Sequence, residues 1–261
     1  MAINQEKILE NYAGGREDTR ATFSRAGGLE FHYTKKLLGK YIKPDSRIIE
    51  IGCGTGYYGM YFADQCTAYV GVDITPDNIA LFNQKIQAAG LLNVSASVGD
   101  ATDLKHIPDG SFDVVLCLGP MYHLPPAERE LVFAECKRIA ADSAILAFAY
   151  ISPLGAYLKG MLMWPAHYPN EKTNESVLNR GFDDDRPDLF FYATPENIAE
   201  TAKAHGLAVI KNAGTDFTFN DKLINEMSEE QFCAYRTFCD SMVKTESCAG
   251  LSNHGLLICR K

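Results

Sequence analysis

Apolar residues recur along this chain in two alternating patterns. Unbroken runs at Ile48-Ile49-Glu50-Ile51, Tyr69-Val70-Gly71-Val72, Val94 to Val98 and Val114 to Leu118 predict strands buried on both faces of a parallel sheet. Between them lie segments with helical periodicity. Leu29, Tyr33, Leu37, Leu38 and Tyr41 share a face, predicting a helix over 30–41 that Pro44-Asp45 ends. A helical segment follows at Tyr57 to Asp64. Thr75-Pro76-Asp77 opens another that stops near Gly90, and Pro126 opens one to about Ile139. Ala144 to Ala149 reads as a fifth strand, Thr194-Pro195-Glu196 caps a helix to His205, and Leu207 to Ala213 is a sixth strand. Residues 221–245 read as helical with a start signal at Ser228, and His254 to Arg260 closes the series. This alternation predicts a doubly wound α/β sheet in one domain, residues 1–261. Two segments stand outside it. Residues 1–28, with Gly14-Gly15 and Gly27-Gly28, predict a mobile arm carrying a short helix near Glu6 to Tyr12. Residues 152–193 are too long for an ordinary connection and predict a lid or acceptor insertion at the ligand-bearing edge of the sheet.

The candidate chemistry gathers where strands end. Arg47 to Gly56 is an apolar run holding one acid, Glu50, that stops in Gly52, Gly54 and Gly56. Strand, glycine turn and helix make a nucleotide-binding unit. Gly54, Gly56 and Gly59 also satisfy G-x-G-x-x-G, which fits a dinucleotide. Glu50 argues against one, because a carboxylate at the strand end repels a pyrophosphate and welcomes hydroxyls or a cation. Asp73 ends the second strand, where an acid can bind both hydroxyls of a ribose; it suits NAD equally well. Asp100 follows the third strand in Gly99-Asp100-Ala101, where the alternative is a turn acid.

The E-x-G-x-G-x-G pattern resembles the first motif of class I S-adenosylmethionine-dependent methyltransferases. Phe112-Asp113-Val114-Val115 is similar to that family's fourth strand, and Leu118-Gly119-Pro120-Met121-Tyr122-His123-Leu124 resembles a subgroup acting on small molecules. The resemblance implies a Rossmann-like seven-stranded sheet of order 3-2-1-4-5-7-6 with the last strand antiparallel. It implies S-adenosylmethionine as cofactor and S-adenosylhomocysteine as product, with Glu50 at the methionine end, the glycines beneath, Asp73 on the ribose and Asp100 on the adenine amino group. Ile74, Ala101 and Leu118 would border the same cofactor. Ala140-Ala141-Asp142-Ser143 departs from the Lys-Pro-Gly-Gly turn that relatives often carry.

His123 is the candidate base: it follows the fourth strand, and an ordinary histidine pKa of about 6.5 suits proton removal. Tyr122 beside it is expected to be pocket wall. Tyr33 and His32, on the helix before the first strand, could close over the site or simply pack. Trp164 and His167 in the insertion are expected to line an acceptor pocket, with Met161 and Met163 adding an apolar wall. Asp183-Asp184-Asp185 could attract a cationic amine or be a solvated loop.

Composition narrows the alternatives. The chain has 261 residues, 46% hydrophobic and 22% charged, with a net charge of −8. An acidic chain without a Lys/Arg cluster is a poor partner for nucleic acid. The polar opening, Met1 to Asn11, carries no secretory pattern, and no apolar stretch is long enough to span a bilayer. The eight cysteines contain no Cys-x-x-Cys pair, which points to free thiols, no metal and a cytoplasmic location. The partner expected is therefore a small, partly apolar acceptor; oligomeric state stays open. A nicotinamide-dependent oxidoreductase and a non-catalytic cofactor- or partner-binding domain are the competing functions.

Overall fold

The computed structural model of the chain describes residues 5–20, 22–182 and 189–261. The apolar runs become β1 (Arg47–Ile51), β2 (Ala68–Asp73), β3 (Val94–Val98), β4 (Phe112–Cys117), β5 (Ala140–Ile151), β6 (Ala208–Gly214) and β7 (His254–Arg260). They form one sheet in the order β3-β2-β1-β4-β5-β7-β6. Pairings from β3 through β5 are parallel, and β7 runs antiparallel to both β5 and β6. Order and closing strand are those expected from the sequence.

The helices are α1 (Gln5–Tyr12), α2 (Arg25–Leu38), α3 (Tyr57–Phe62), α4 (Pro76–Ala88), α5 (Pro126–Ile139), α6 (Pro153–Met163), α7 (Glu171–Thr173, continued as π-helical turns to Arg180), α8 (Pro195–Ala204), α9 (Asp221–Glu226) and α10 (Glu229–Lys244). Strand alternation divides the core in two. Ile48, Tyr69, Val114 and Leu116 pack with α2, α3, α4 and α10 on one face of the sheet. Ile49, Ile51, Val72 and Val115 pack with α5 and α8 on the other.

Four segments differ from expectation. α2 starts at Arg25, capped by the Ser24 hydroxyl accepting from the Gly27 N–H, so Gly27-Gly28 lies inside a helix. A Cβ on Gly27 would sit 2.7 Å from the Arg20 carbonyl; the glycine lets the N-terminal segment cross the helix closely. The arm itself is folded, as α1 followed by 3-10 turns over Ala13–Thr19. Ala140 to Ser143 belongs to β5: Phe112 faces Ala140 but Val114 faces Ile145, and the surplus residues bulge around Ser143 at φ +62°. The single helix read over 221–245 is two, because Ser228 builds a capping box with Gln231 that starts α10 afresh.

The insertion has its own structure. Ser152 caps α6, whose Gly155 lies so near Ser252 that a Cβ would fall 2.0 Å from that residue's carbonyl. This contact ties α6 to the segment before β7. Lys159 reaches Asp221 at 3.1 Å from the same helix.

Candidate functional site

A crevice of about 1050 Å³, partly open to solvent, lies at the C-terminal ends of β1, β2 and β4. The glycine turn forms its floor. Gly52 and Cys53 donate their N–H groups to the Val72 carbonyl at 2.7 and 3.1 Å, tying the turn to β2. Asp73 then fastens the loop from the other side. Its Oδ2 accepts from the Gly54 N–H and its Oδ1 from the Thr75 N–H, both at 2.8 Å.

The glycines have unequal roles. Gly54 has φ +52°, and a Cβ there would meet nothing within 4 Å, so its backbone faces open space in the crevice. Gly56 has φ +84°, but a Cβ there would fall 2.0 Å from the Phe82 ring. Gly59 is likewise filled by Phe82, at 2.4 Å. The G-x-G-x-x-G match is thus largely a seat for one phenylalanine of α4. A Cβ on Gly52 would strike Pro120 at 2.4 Å, so that glycine admits the loop after β4.

Polar groups converge above this floor. Glu50 is 1% exposed and accepts from the Tyr69 hydroxyl at 2.6 Å. Burial pushes its carboxyl up to about 8; the Tyr69 hydrogen bond opposes the rise and the Asp73 charge adds to it. Asp100 accepts from both the N–H and the hydroxyl of Thr102 on Oδ1, at 2.8 Å each. Asn78, on the first turn of α4, lines the crevice with a buried Oδ1 that has no hydrogen-bond partner among the described residues. A buried polar atom left unmatched is costly and here awaits a donor.

Past Leu118 and Gly119 the crevice becomes aromatic. Tyr12, Phe31, Tyr57, Tyr58 and Tyr122 line it, with Ile8, Arg20 and Glu30. His123 is buried among them. Its Nδ1 lies 2.7 Å from the Leu189 carbonyl, which can only accept, so Nδ1 carries the proton. Nε2 then accepts from the Tyr12 hydroxyl at 2.8 Å. Burial holds the ring down to about 4, with the Leu189 hydrogen bond opposing and the charges of Arg20 and His254 adding. Arg129, also buried, donates to the carbonyls of Leu124, Phe191 and Tyr192 and so fixes the His123 loop against the segment from Leu189 onward.

Glu50, Gly52, Gly54, Asp73, Ile74, Asp100, Ala101, Leu118, Tyr122 and His123 all line this one crevice. Gly56 does not, for the packing reason given. Three expected pocket residues lie elsewhere. Tyr33 points from α2 toward α10, where its hydroxyl donates to the Arg236 carbonyl at 2.9 Å. Trp164 is 53% exposed, and His167 is exposed in the turn after α6. Both follow a helix anchored to the segment before β7, and among the described residues none of 152–193 lines the crevice. His32 is exposed on α2. Asp183, Asp184 and Asp185 lie outside the described residues. Reasoning from sequence missed Ile8, Tyr12, Arg20, Glu30 and Asn78. The helical repeat of α1 was the available signal for the first two; Asn78 follows an expected N-cap by one turn.

The described residues contain no group of three His, Cys, Asp or Glu placed to hold a metal, and no helix long and apolar enough to cross a membrane. The eight cysteines are free.

Residues 48–143 match the family described as methyltransferase domain. Phosphoethanolamine N-methyltransferase 1 of Arabidopsis thaliana is 28% identical over 164 residues, 62% of this chain and 30% of that protein. Ajmaline N-methyltransferase of Rauvolfia serpentina is 33% identical over 109 residues, 40% of this chain and 35% of that protein. The chain therefore spans about a third of the length of these curated relatives. An S-adenosylmethionine-dependent methyltransferase of Thermotoga maritima superposes with a TM-score of 0.60 at 18% identity, over 98% of this chain and 99% of that one. The matched domain and these relatives, together with the shared fold, support a class I S-adenosylmethionine-dependent methyltransferase. S-adenosylmethionine is the cofactor of that family, which decides the choice the glycine turn left open between it and a dinucleotide.

Proposed function

We propose that this protein transfers a methyl group from S-adenosylmethionine to a small acceptor enclosed beneath its N-terminal arm. The observation that carries the proposal is continuity. One crevice joins Glu50, Gly54, Asp73 and Asp100 to an aromatic chamber that holds His123 and is roofed by α1. The chain's own residues fit the cofactor. Gly54 leaves room for a ligand against backbone, Asn78 offers an unmatched oxygen, and Asp73 and Asp100 present carboxylates to hydroxyl and amino donors. Glu50 loses its proton most readily when a cation such as the methionine ammonium lies beside it.

The cofactor supplies a methyl group already activated on a sulfonium. What the protein adds is alignment and exclusion of water, together up to roughly 7–11 kcal/mol in well-oriented systems. Tyr12 and Ile8 close the chamber, and the Tyr12–His123 hydrogen bond holds the closure. His123 is uncharged at neutral pH and presents Nε2. A pKa near 4 makes it a weak base, and its one acceptor nitrogen is taken by Tyr12, so its main contribution is to hold that tyrosine over the acceptor. A chamber closed by a helix suits a small molecule and obstructs a folded protein or duplex. The two plant relatives, both N-methyltransferases, support that size class.

Calorimetry with S-adenosylhomocysteine and, separately, NADH tests the proposal. Binding of the first and not the second is expected. Binding of NADH alone would reject it. Methyl transfer is read as S-adenosylhomocysteine release across a panel of small acceptors. Transfer to proteins only would reject the enclosed-acceptor part.

A further inference from the structure

We infer that the acceptor chamber recognises a cationic nitrogen, with Glu30 as its counter-ion, a place that Arg20 of the arm takes in this structure. The inference rests on the small-acceptor function proposed above and names the class of acceptor.

Glu30 projects from α2 into the chamber and is only 7% exposed. A carboxylate that deep is costly unless it is paired. Arg20 pairs with it, Nη1 to Oε2 at 2.8 Å. The same guanidinium lies 4.8 Å from the centroid of the Phe31 ring. The structure thus holds an organic cation between a carboxylate and an aromatic face, and both of those groups line the chamber. This combination selects alkylammonium and guanidinium groups over neutral or anionic ones.

The other basic group near Glu30 is His254, whose Nδ1 is 3.8 Å away. That nitrogen is closer to Asp216, at 2.9 Å, and Asp216 is itself buried. Glu30 therefore draws its main charge compensation from the chamber side. Arg20 comes from the arm, the element that must lift for a ligand to enter. Lifting it uncovers a buried carboxylate flanked by aromatic rings, which an incoming ammonium can satisfy. An anionic acceptor would meet Glu30 directly and be repelled.

The test uses the full chain saturated with S-adenosylhomocysteine. It is titrated with benzyltrimethylammonium, with benzyl alcohol as neutral probe and with benzoate as anionic probe. The ammonium is expected to bind at least tenfold more tightly than either other probe. Arg20→Gln should tighten it threefold or more by removing the competing cation, and Glu30→Gln should weaken it tenfold or more. Unchanged affinity in Glu30→Gln would overturn the inference, as would absence of ammonium binding in both wild type and Arg20→Gln. Preferential binding of benzoate, lost in Arg20→Gln, would overturn it in favour of an anionic acceptor read by Arg20. If Glu30→Gln does not fold, Phe31→Leu takes its place: it should weaken the ammonium and leave benzyl alcohol unchanged, and an equal effect on both probes would count against the cation. S-adenosylhomocysteine titrations on the same proteins separate the two levels. Cofactor binding without ammonium binding sinks the acceptor class alone; failure of wild type to bind S-adenosylhomocysteine sinks the proposed function itself.

Discussion

The two halves of the crevice are assembled in opposite ways. The proposed cofactor half comes from contiguous chain, β1 through Leu118, and its groups sit at strand ends, in the turns after them or, for Asn78, on the first turn of α4. The acceptor half is gathered from distant pieces: Ile8, Tyr12 and Arg20 from the arm, Glu30 and Phe31 from α2, and His123 after β4, oriented by the Leu189 carbonyl. The first half is held by backbone hydrogen bonds and packed glycines. The second is held by side-chain contacts, Tyr12 to His123 across 111 residues and Arg20 to Glu30 from the arm to α2. A half built on the sheet is set when the sheet forms; a half built by docking an arm can open while the sheet stays intact.

Substitutions that act on one half only would sharpen this contrast, and leakage between halves would break it. The largest effect is expected at Gly56. Alanine there combines left-handed strain with a clash against Phe82, and about 3 kcal/mol or more of folding stability should be lost in chemical denaturation. A loss below about 1 kcal/mol would mean that the turn is not rigid. Next is Asp73→Ala, which removes the proposed ribose contact and releases Gly54 and Thr75. Affinity for S-adenosylhomocysteine should fall by about 2 kcal/mol or more in calorimetry. Unchanged affinity would remove Asp73 from the site.

His123→Ala probes the other half. Turnover should drop about tenfold or more, while S-adenosylhomocysteine affinity changes less than about twofold, because one orienting contact of roughly 1–2 kcal/mol is lost. Equal losses in both would show that the halves are not independent. Because burial keeps the ring uncharged down to about 4, wild-type turnover should show no inflection near pH 6.5 that His123→Ala abolishes.

The pH dependence set by Glu50 gives the last test. Its carboxyl, at about 8, is mostly protonated at pH 6 and about half ionised at pH 8. A bound ammonium favours the ionised form, so affinity for S-adenosylhomocysteine should rise from pH 6 toward 8, by at most about tenfold per unit. Stability runs the other way. The folded state keeps a proton that the unfolded chain releases near pH 4.5, so the ligand-free protein should lose stability as pH rises from about 4.5 to 8. Glu50→Gln should flatten both slopes, and a slope surviving in that variant would assign it to another group.

Legibility in the sequence follows the same division. The strands, the glycine turn and the acids at strand ends are legible because each is a local pattern, whereas the strand order is implied by the family resemblance. The glycines of the arm suggest a flexible, mobile linker, whereas Gly27 lets Arg20 pass close to α2. Trp164 and His167 were assigned to the acceptor pocket from their place in an insertion. What decides their position is the contact of Gly155 with Ser252, a long-range approach with no local signature. Tyr12 and Glu30 belong to helices with ordinary amphipathic patterns. Nothing in their neighbours distinguishes a residue that faces a cavity from one that faces solvent.

Lys85 connects the halves. Its ammonium binds Asp18 of the arm and, at 2.9 Å, the Thr55 carbonyl of the glycine turn. The arm that roofs the chamber is thereby tied through one ammonium to the turn that floors the crevice, so a displacement at either end is felt at the other.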